Sequence, residues 1–295
     1  MPASQPSSSS QSSASSTLIE FPFRLRSELT EFAVADDLFV RHMDDETKTR
    51  LLRIEDAKYN ESGKLISFTS LPDCLFSDSI GPEIDEIDEF CSSNYVLIAP
   101  SLERAKEFDF ALKLAGNSSS ALYVGFKTAT LARYFLNPPC YFGDSTLGVE
   151  KADAQRLTTL IEQIERARID EKLQTMIEIY KHALARQRRK ESRFIEIAVV
   201  LEMLLLPSIT AELSYRFSLR LAKLMNKLTG ESIREVFKHA HRIYKTRSHL
   251  VHGGSDSDVD SISPVAYNYV RILLATYLED RTHFQEANLD EMCLI

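Results

Sequence analysis

The feature that most constrains this chain is a change of hydrophobic period near residue 150. From Lys151 onward, apolar residues return every three or four positions, the spacing of one face of an α-helix. The pattern predicts helices near 151–168, 171–188, 191–206, 210–228, 231–251 and 262–283. The punctuation agrees. Pro207 closes the third helix, Ser208 or Thr210 suits the cap of the fourth with Gly230 near its end, and Ser263 with Pro264 suits the start of the last. Long helices joined by short connections imply an antiparallel bundle.

Before residue 150 the alternation is short. "LIEFPFRLRS", "FAVADDLFVRHM", "RLLRIEDAKYN", "KLISFTSL", "NYVLIAPS" and "ALYVGFKT" all read as strands. One helix is predicted at "SLERAKEFDFALKLAG", where Leu102, Ala105, Phe108, Leu112 and Ala115 share a face and Gly116 suits a C-terminal cap. "FLNPPCYFGDSTLG" then breaks regular structure and reads as a linker. The expected fold class is multidomain α+β, a β-rich or α+β N-terminal domain followed by an all-α bundle. Its parts are a serine-rich disordered tail at 1–17, a β-rich domain over 18–145, a helical domain over 150–285 and a tail at 286–295.

Charge divides along the same line. The chain carries −8 overall, with about −10 in residues 1–150 and about +2 in 151–295. That balance excludes a wholesale nucleic-acid coat but leaves room for a local basic patch. Cys74, Cys91, Cys140 and Cys293 form no Cys-x-x-Cys pair, so no zinc site is expected on spacing and no cofactor is implied. Sparse cysteines and the absence of a signal-peptide pattern predict a cytoplasmic protein. The longest apolar run, "IAVVLEMLLLP", is half of what a membrane span needs and contains Glu202, so no membrane association is expected. The chain has no Gly-x-Ser-x-Gly turn, no Walker A loop, no Gly-x-Gly-x-x-Gly and no His-Glu-x-x-His. The acidic run "EIDEIDEF" reads as a solvated linker.

The stretch "KHAHRIYKTRSHLVH" is different. It holds four of the seven histidines, two lysines and two arginines. On a helix, Val236, Ala240, Ile243 and Leu250 line one apolar face and Arg247 falls in its middle. A guanidinium there requires an anion. Glu202, isolated in the most apolar helix, is the candidate partner. His252 lies about 140° around an ideal helix from Arg247. A helix stop near Val251, with Gly253 or Gly254 in a left-handed cap, or a second copy across a symmetric dimer, would be needed to bring the two together. Lys245, His249 and His252 also fit a solvated basic face favouring the helix C-terminus.

Arg247, Ser248, His249, Leu250, Val251, His252 and Gly253 resemble the Arg-x4–6-His signature of HEPN domains, in the "Y-x-x-RS-x-x-VHG" form of the Apea-like group. "SRFIEIAVVLEMLLLP" and "ITAELSYRFSLRLAKLM" resemble the two preceding helices of that group, so the resemblance covers roughly 150–285. It implies an all-α domain, usually a homodimer, that binds RNA and in many members cuts it without metal, often in defence or toxin systems. Other members are inactive binding or regulatory modules. The residue types suit RNA cleavage by 2′-hydroxyl attack. Histidine serves as acid or base near neutral pH, and arginine presents a planar fork to phosphate. The expected roles are catalytic for Arg247, His252 and Ser248, and RNA-binding for Lys245 and His249. In the rival reading Arg247 and Glu202 hold the bundle together and the histidines are incidental.

Overall fold

The computed structural model describes residues 18–23, 25, 27–52, 58–59, 65–67, 93–116, 124–127, 133–135, 151–184, 189–208, 212–254 and 258–294. The serine-rich segment 1–17, the acidic run at 83–90, Cys74, Cys91, Cys140, Thr210 and all but the first residue of the predicted linker lie outside them.

The N-terminal half builds a six-stranded antiparallel sheet in the order β2-β3-β6-β1-β7-β8. Its strands are β1 (Ile19–Phe23), β2 (Glu31–Ala35), β3 (Leu38–His42), β6 (Tyr95–Ala99), β7 (Val124–Lys127) and β8 (Arg133–Phe135); β4 (Lys58–Tyr59) and β5 (Leu65–Ser67) pair separately. The run "FAVADDLFVRHM" is a hairpin, folded back at Asp36 and Asp37, instead of one strand. β1 lies inside the sheet and is buried along its whole length. Its Glu20, 3% exposed, accepts two hydrogen bonds from Arg50 at 2.6 and 2.9 Å, as a buried carboxylate requires.

Arg50 belongs to helix α1 (Asp45–Leu52), so "RLLRIEDAKYN" begins as the last turn of a helix and not as a strand. Asp44 explains the difference: its Oδ1 accepts from Thr47 N at 2.7 Å and starts the helix. Helix α2 (Leu102–Ala115) forms where expected, with Ser101 Oγ accepting from Arg104 N. Gly116 has φ −155°, an extended conformation open to any residue, so it is not the left-handed cap that was predicted.

Six helices follow: α3 (Lys151–Arg166), α4 (Glu171–Leu184), α5 (Lys190–Leu205), α6 (Leu213–Thr229), α7 (Ile233–Val251) and α8 (Val259–Glu279). They occupy the six predicted segments. α8 starts earlier than predicted because Val259 and Ile262 are already buried on its apolar face. Pro264 therefore sits inside the helix, and the Ser263 hydroxyl donates back to Val259 O at 2.6 Å instead of capping. The expected tail at 286–295 is also corrected. Helix α9 (Glu286–Leu294) forms there, with Leu289 buried.

Arg220 holds α9 in place. Its guanidinium, fully buried on α6, donates to Glu286, to Asp290 at 2.6 Å and to Leu205 O at 2.7 Å. The last contact satisfies a carbonyl left open at the end of α5.

The two halves share one apolar core, continuous from Ile19 in β1 to Leu289 in α9. α2 is the shared wall, packing on α3 and α8. Phe110 meets Tyr180 of α4 edge to face, and Arg271 of α8 donates to Leu114 O at 3.1 Å. Arg104 joins Asp37 of the β2–β3 turn to Glu107 and Glu165. A residue on the buried side of α2 is itself charged: Asp109 pairs with Lys113 one turn on.

Candidate functional site at the end of helix α7

α7 packs along α6 and crosses α5. Val236, Ala240, Ile243, Thr246 and Leu250 are its buried residues. Arg247 follows this face onto α5. Among the described residues one of its five donors is committed: Nη2 donates to Glu202 Oε2 at 3.1 Å. The predicted partner is therefore the observed one. The pair is not sealed, for the two side chains are 27% and 22% exposed. Nor is it fully satisfied: Arg247 Nε and Glu202 Oε1 are buried without a hydrogen-bond partner among the described residues.

Burial pushes the Glu202 carboxyl above its ordinary range, and the Arg247 charge pulls it only part of the way back. Desolvation thus outweighs attraction, as is common for interior ion pairs. Tyr244, packed against Phe217 with ring centroids 5.6 Å apart, feels the same pocket. Burial first, then the Glu202 charge, raises its hydroxyl.

The helix ends where the glycines allow. Gly253 has φ +83°, the left-handed region that favours glycine. Gly253 N donates to Leu250 O at 3.1 Å and Gly254 N to His249 O at 3.0 Å, closing the last turn. Gly254 makes a close contact of another kind. A Cβ there would come within 2.1 Å of the His249 ring, so that imidazole lies on the bare backbone.

His252 does not swing back toward Arg247. Its N–H still donates to Ser248 O at 3.2 Å, a regular i→i−4 bond that holds its Cα in helical register. α7 ends at Val251 with His252 as its cap, at φ −86°, and the chain turns left-handed only at Gly253, one residue too late to redirect His252. Its side chain keeps the azimuth about 140° from Arg247 set by helix geometry, and it is exposed. Lys245 and His249 are exposed with it, whereas Ser248 is half-buried between the two faces. Within one chain the candidate residues therefore divide into an inward pair, Arg247 with Glu202, and an outward group, Lys245, His249 and His252.

Among the described residues, no group of three or more His, Cys, Asp or Glu is placed to hold a metal ion. No described helix is long and apolar enough to cross a membrane. Family models, curated proteins and solved structures provide no match to this chain.

Sequence reasoning passed over Arg220, although the signal was present: an arginine between Phe217, Leu221 and Leu224 on an apolar face. It also stopped at Lys245, while the outward basic face of α7 continues upstream.

Proposed function

We propose that this chain is an HEPN-type RNA-binding protein that carries its RNA contact at the C-terminal end of α7. The observation that supports this reading is the exposure of Lys245, His249 and His252 together at the helix stop. Arg247, with one donor committed to Glu202 among the described residues, lies on the opposite, inward side of the same helix.

Cleavage is the enzymatic form of the proposal. The 2′-hydroxyl attacks the adjacent phosphorus, its proton passes to a base, and the 5′-oxygen leaves with a proton from an acid. The products are a 2′,3′-cyclic phosphate and a 5′-hydroxyl. Histidine suits either proton transfer and arginine suits the phosphate. Because one chain holds His252 and Arg247 on different sides of α7, a shared phosphate requires Arg247 of one copy and His252 of another.

A second reading is an inactive RNA-binding or regulatory module. The bond from Arg247 to Glu202 favours it, since a guanidinium tied to the bundle has a structural role already.

The test is labelled RNA with the full chain in EDTA, alongside His252→Ala and Arg247→Lys. Cyclic-phosphate ends that persist in EDTA and vanish in both folded variants support the enzyme. Binding without cleavage selects the module. Absence of RNA binding removes the enzyme and the RNA-binding module, and leaves only a regulatory module that binds protein.

A further inference from the structure

The outward face of α7 extends beyond the motif. Set Arg234 at zero and step 100° per residue. Lys238 then falls at about 40°, His241 at about −20°, Lys245 at about 20°, His249 at about 60° and His252 at about 0°. Six basic residues thus lie within an arc of roughly 80°, and all six side chains are exposed. From first to last they span about 27 Å at the ~1.5 Å rise of a helix.

The face is only partly neutralised by the described residues. An exposed helix that is merely solvated usually interleaves charges of both signs at i, i+4. Here Lys238 is bonded to Glu235 at 2.8 Å. Arg234 and Lys245 form no hydrogen bond or ion pair among the described residues.

An aromatic ring stands beside the stripe. Tyr215, near the start of α6, is 58% exposed and meets Phe237 of α7 edge to face, with centroids 6.1 Å apart. Its neighbour Ser214 lies 3.5 Å from His241 Nδ1, which places this corner beside the middle of the stripe. Cations in a row next to an exposed ring are what a flexible polyanion with flat bases requires: charge for its phosphates and a surface for stacking. A duplex has no unstacked base to offer such a ring.

We propose that this stripe is a track for single-stranded RNA. Phosphates follow Arg234, Lys238, His241, Lys245 and His249, one base stacks on Tyr215, and the strand is led to His252 at the helix stop. The proposal rests on the RNA-binding reading above and adds the path, the strandedness and four residues outside the motif. Its length suits about eight nucleotides at the ~3.4 Å rise of a stacked strand, and fewer in an extended one.

Fluorescence anisotropy of the full chain with a labelled twelve-nucleotide oligouridylate, from 50 to 200 mM KCl, tests it. The variants Arg234→Gln with Lys238→Gln, and separately Tyr215→Ser, are exposed and lie outside the motif. The double variant is expected to bind about tenfold more weakly. The slope of log affinity against log salt should fall by about 1.4 for two lost phosphate contacts. Arg234→Lys with Lys238→Arg should restore both. Tyr215→Ser should also weaken binding about tenfold, and Tyr215→Phe should not.

If the wild-type chain binds the oligonucleotide and these variants bind equally well with the same salt slope, the track is refuted while the RNA-binding reading stands. If a twelve-base-pair RNA duplex binds as tightly as the single strand, the single-strand assignment fails. If the wild-type chain binds no RNA, both proposals fall, and binding to phosphatidylserine vesicles that these variants abolish would assign the stripe to a membrane instead.

Discussion

Removing the Arg247 charge should show how much the inward pair contributes to stability. A fully buried ion pair that loses one partner costs about 3–5 kcal/mol, and an exposed one about 0–1. With side chains 27% and 22% exposed and one hydrogen bond at 3.1 Å, Arg247→Met should cost about 1.5–3 kcal/mol between those limits. Methionine preserves the packing of the aliphatic stem, so the loss reports the charge. Glu202→Leu combined with Arg247→Met should recover most of it, because Glu202 then no longer lies buried without a cation.

The loss should also depend on pH. Burial raises the Glu202 carboxyl in the folded protein, and deleting Arg247 raises it further. A carboxyl whose folded value exceeds its unfolded value binds a proton on folding, so stability falls as pH rises between the two. The cost of Arg247→Met should therefore be full above the raised folded value. It should shrink as pH falls through that value toward the ordinary carboxylate range. Urea denaturation of the single and double variants between pH 4 and 8 measures this. A cost below about 0.5 kcal/mol, a cost indifferent to pH, or a double variant as damaged as the sum of the singles would refute the reasoning.

Gly253→Ala should destabilise the chain by about 1–2 kcal/mol through the left-handed backbone alone, because no atom of the described residues lies within 4 Å of the added Cβ. Gly253→Asn should cost less, and equilibrium denaturation of the two tests the order. Arg220→Met should release α9. Glu286 and Asp290 are partly exposed and can rehydrate, so the cost is about 1–3 kcal/mol. Faster amide hydrogen exchange at 286–294 than elsewhere in the bundle would confirm the release, and uniform exchange would exclude it.

The six C-terminal helices were legible because each repeats its apolar residues at 3.6 and ends on its own punctuation, such as Pro207 or Gly230. The Arg247–Glu202 pair was legible for a related reason. Each charge interrupts an apolar face, and a chain with few such interruptions has few ways to pair them. The strands were less readable. A run such as "FAVADDLFVRHM" alternates throughout, and only the closure at Asp36 and Asp37 makes two strands of it. The position of His252 lay between. Helix geometry supplied the 140°, but whether the chain left the helix before or after that residue depended on the His252 N–H bond to Ser248 O.

Local patterns by themselves determined the six helices between residues 151 and 279, the stop of α7 near its glycines and which arginine faces inward, since these depend on neighbours within a few turns. Tertiary structure alone decided the rest. It merged the two halves into one core, because the apolar face of α2 is covered by α3 and α8. It made a helix of 286–294, because Arg220, 66 and 70 residues from its carboxylate partners, needs them to be buried at all. It also set Tyr215 beside the basic face of α7, a juxtaposition of two helices that no periodicity in either one contains.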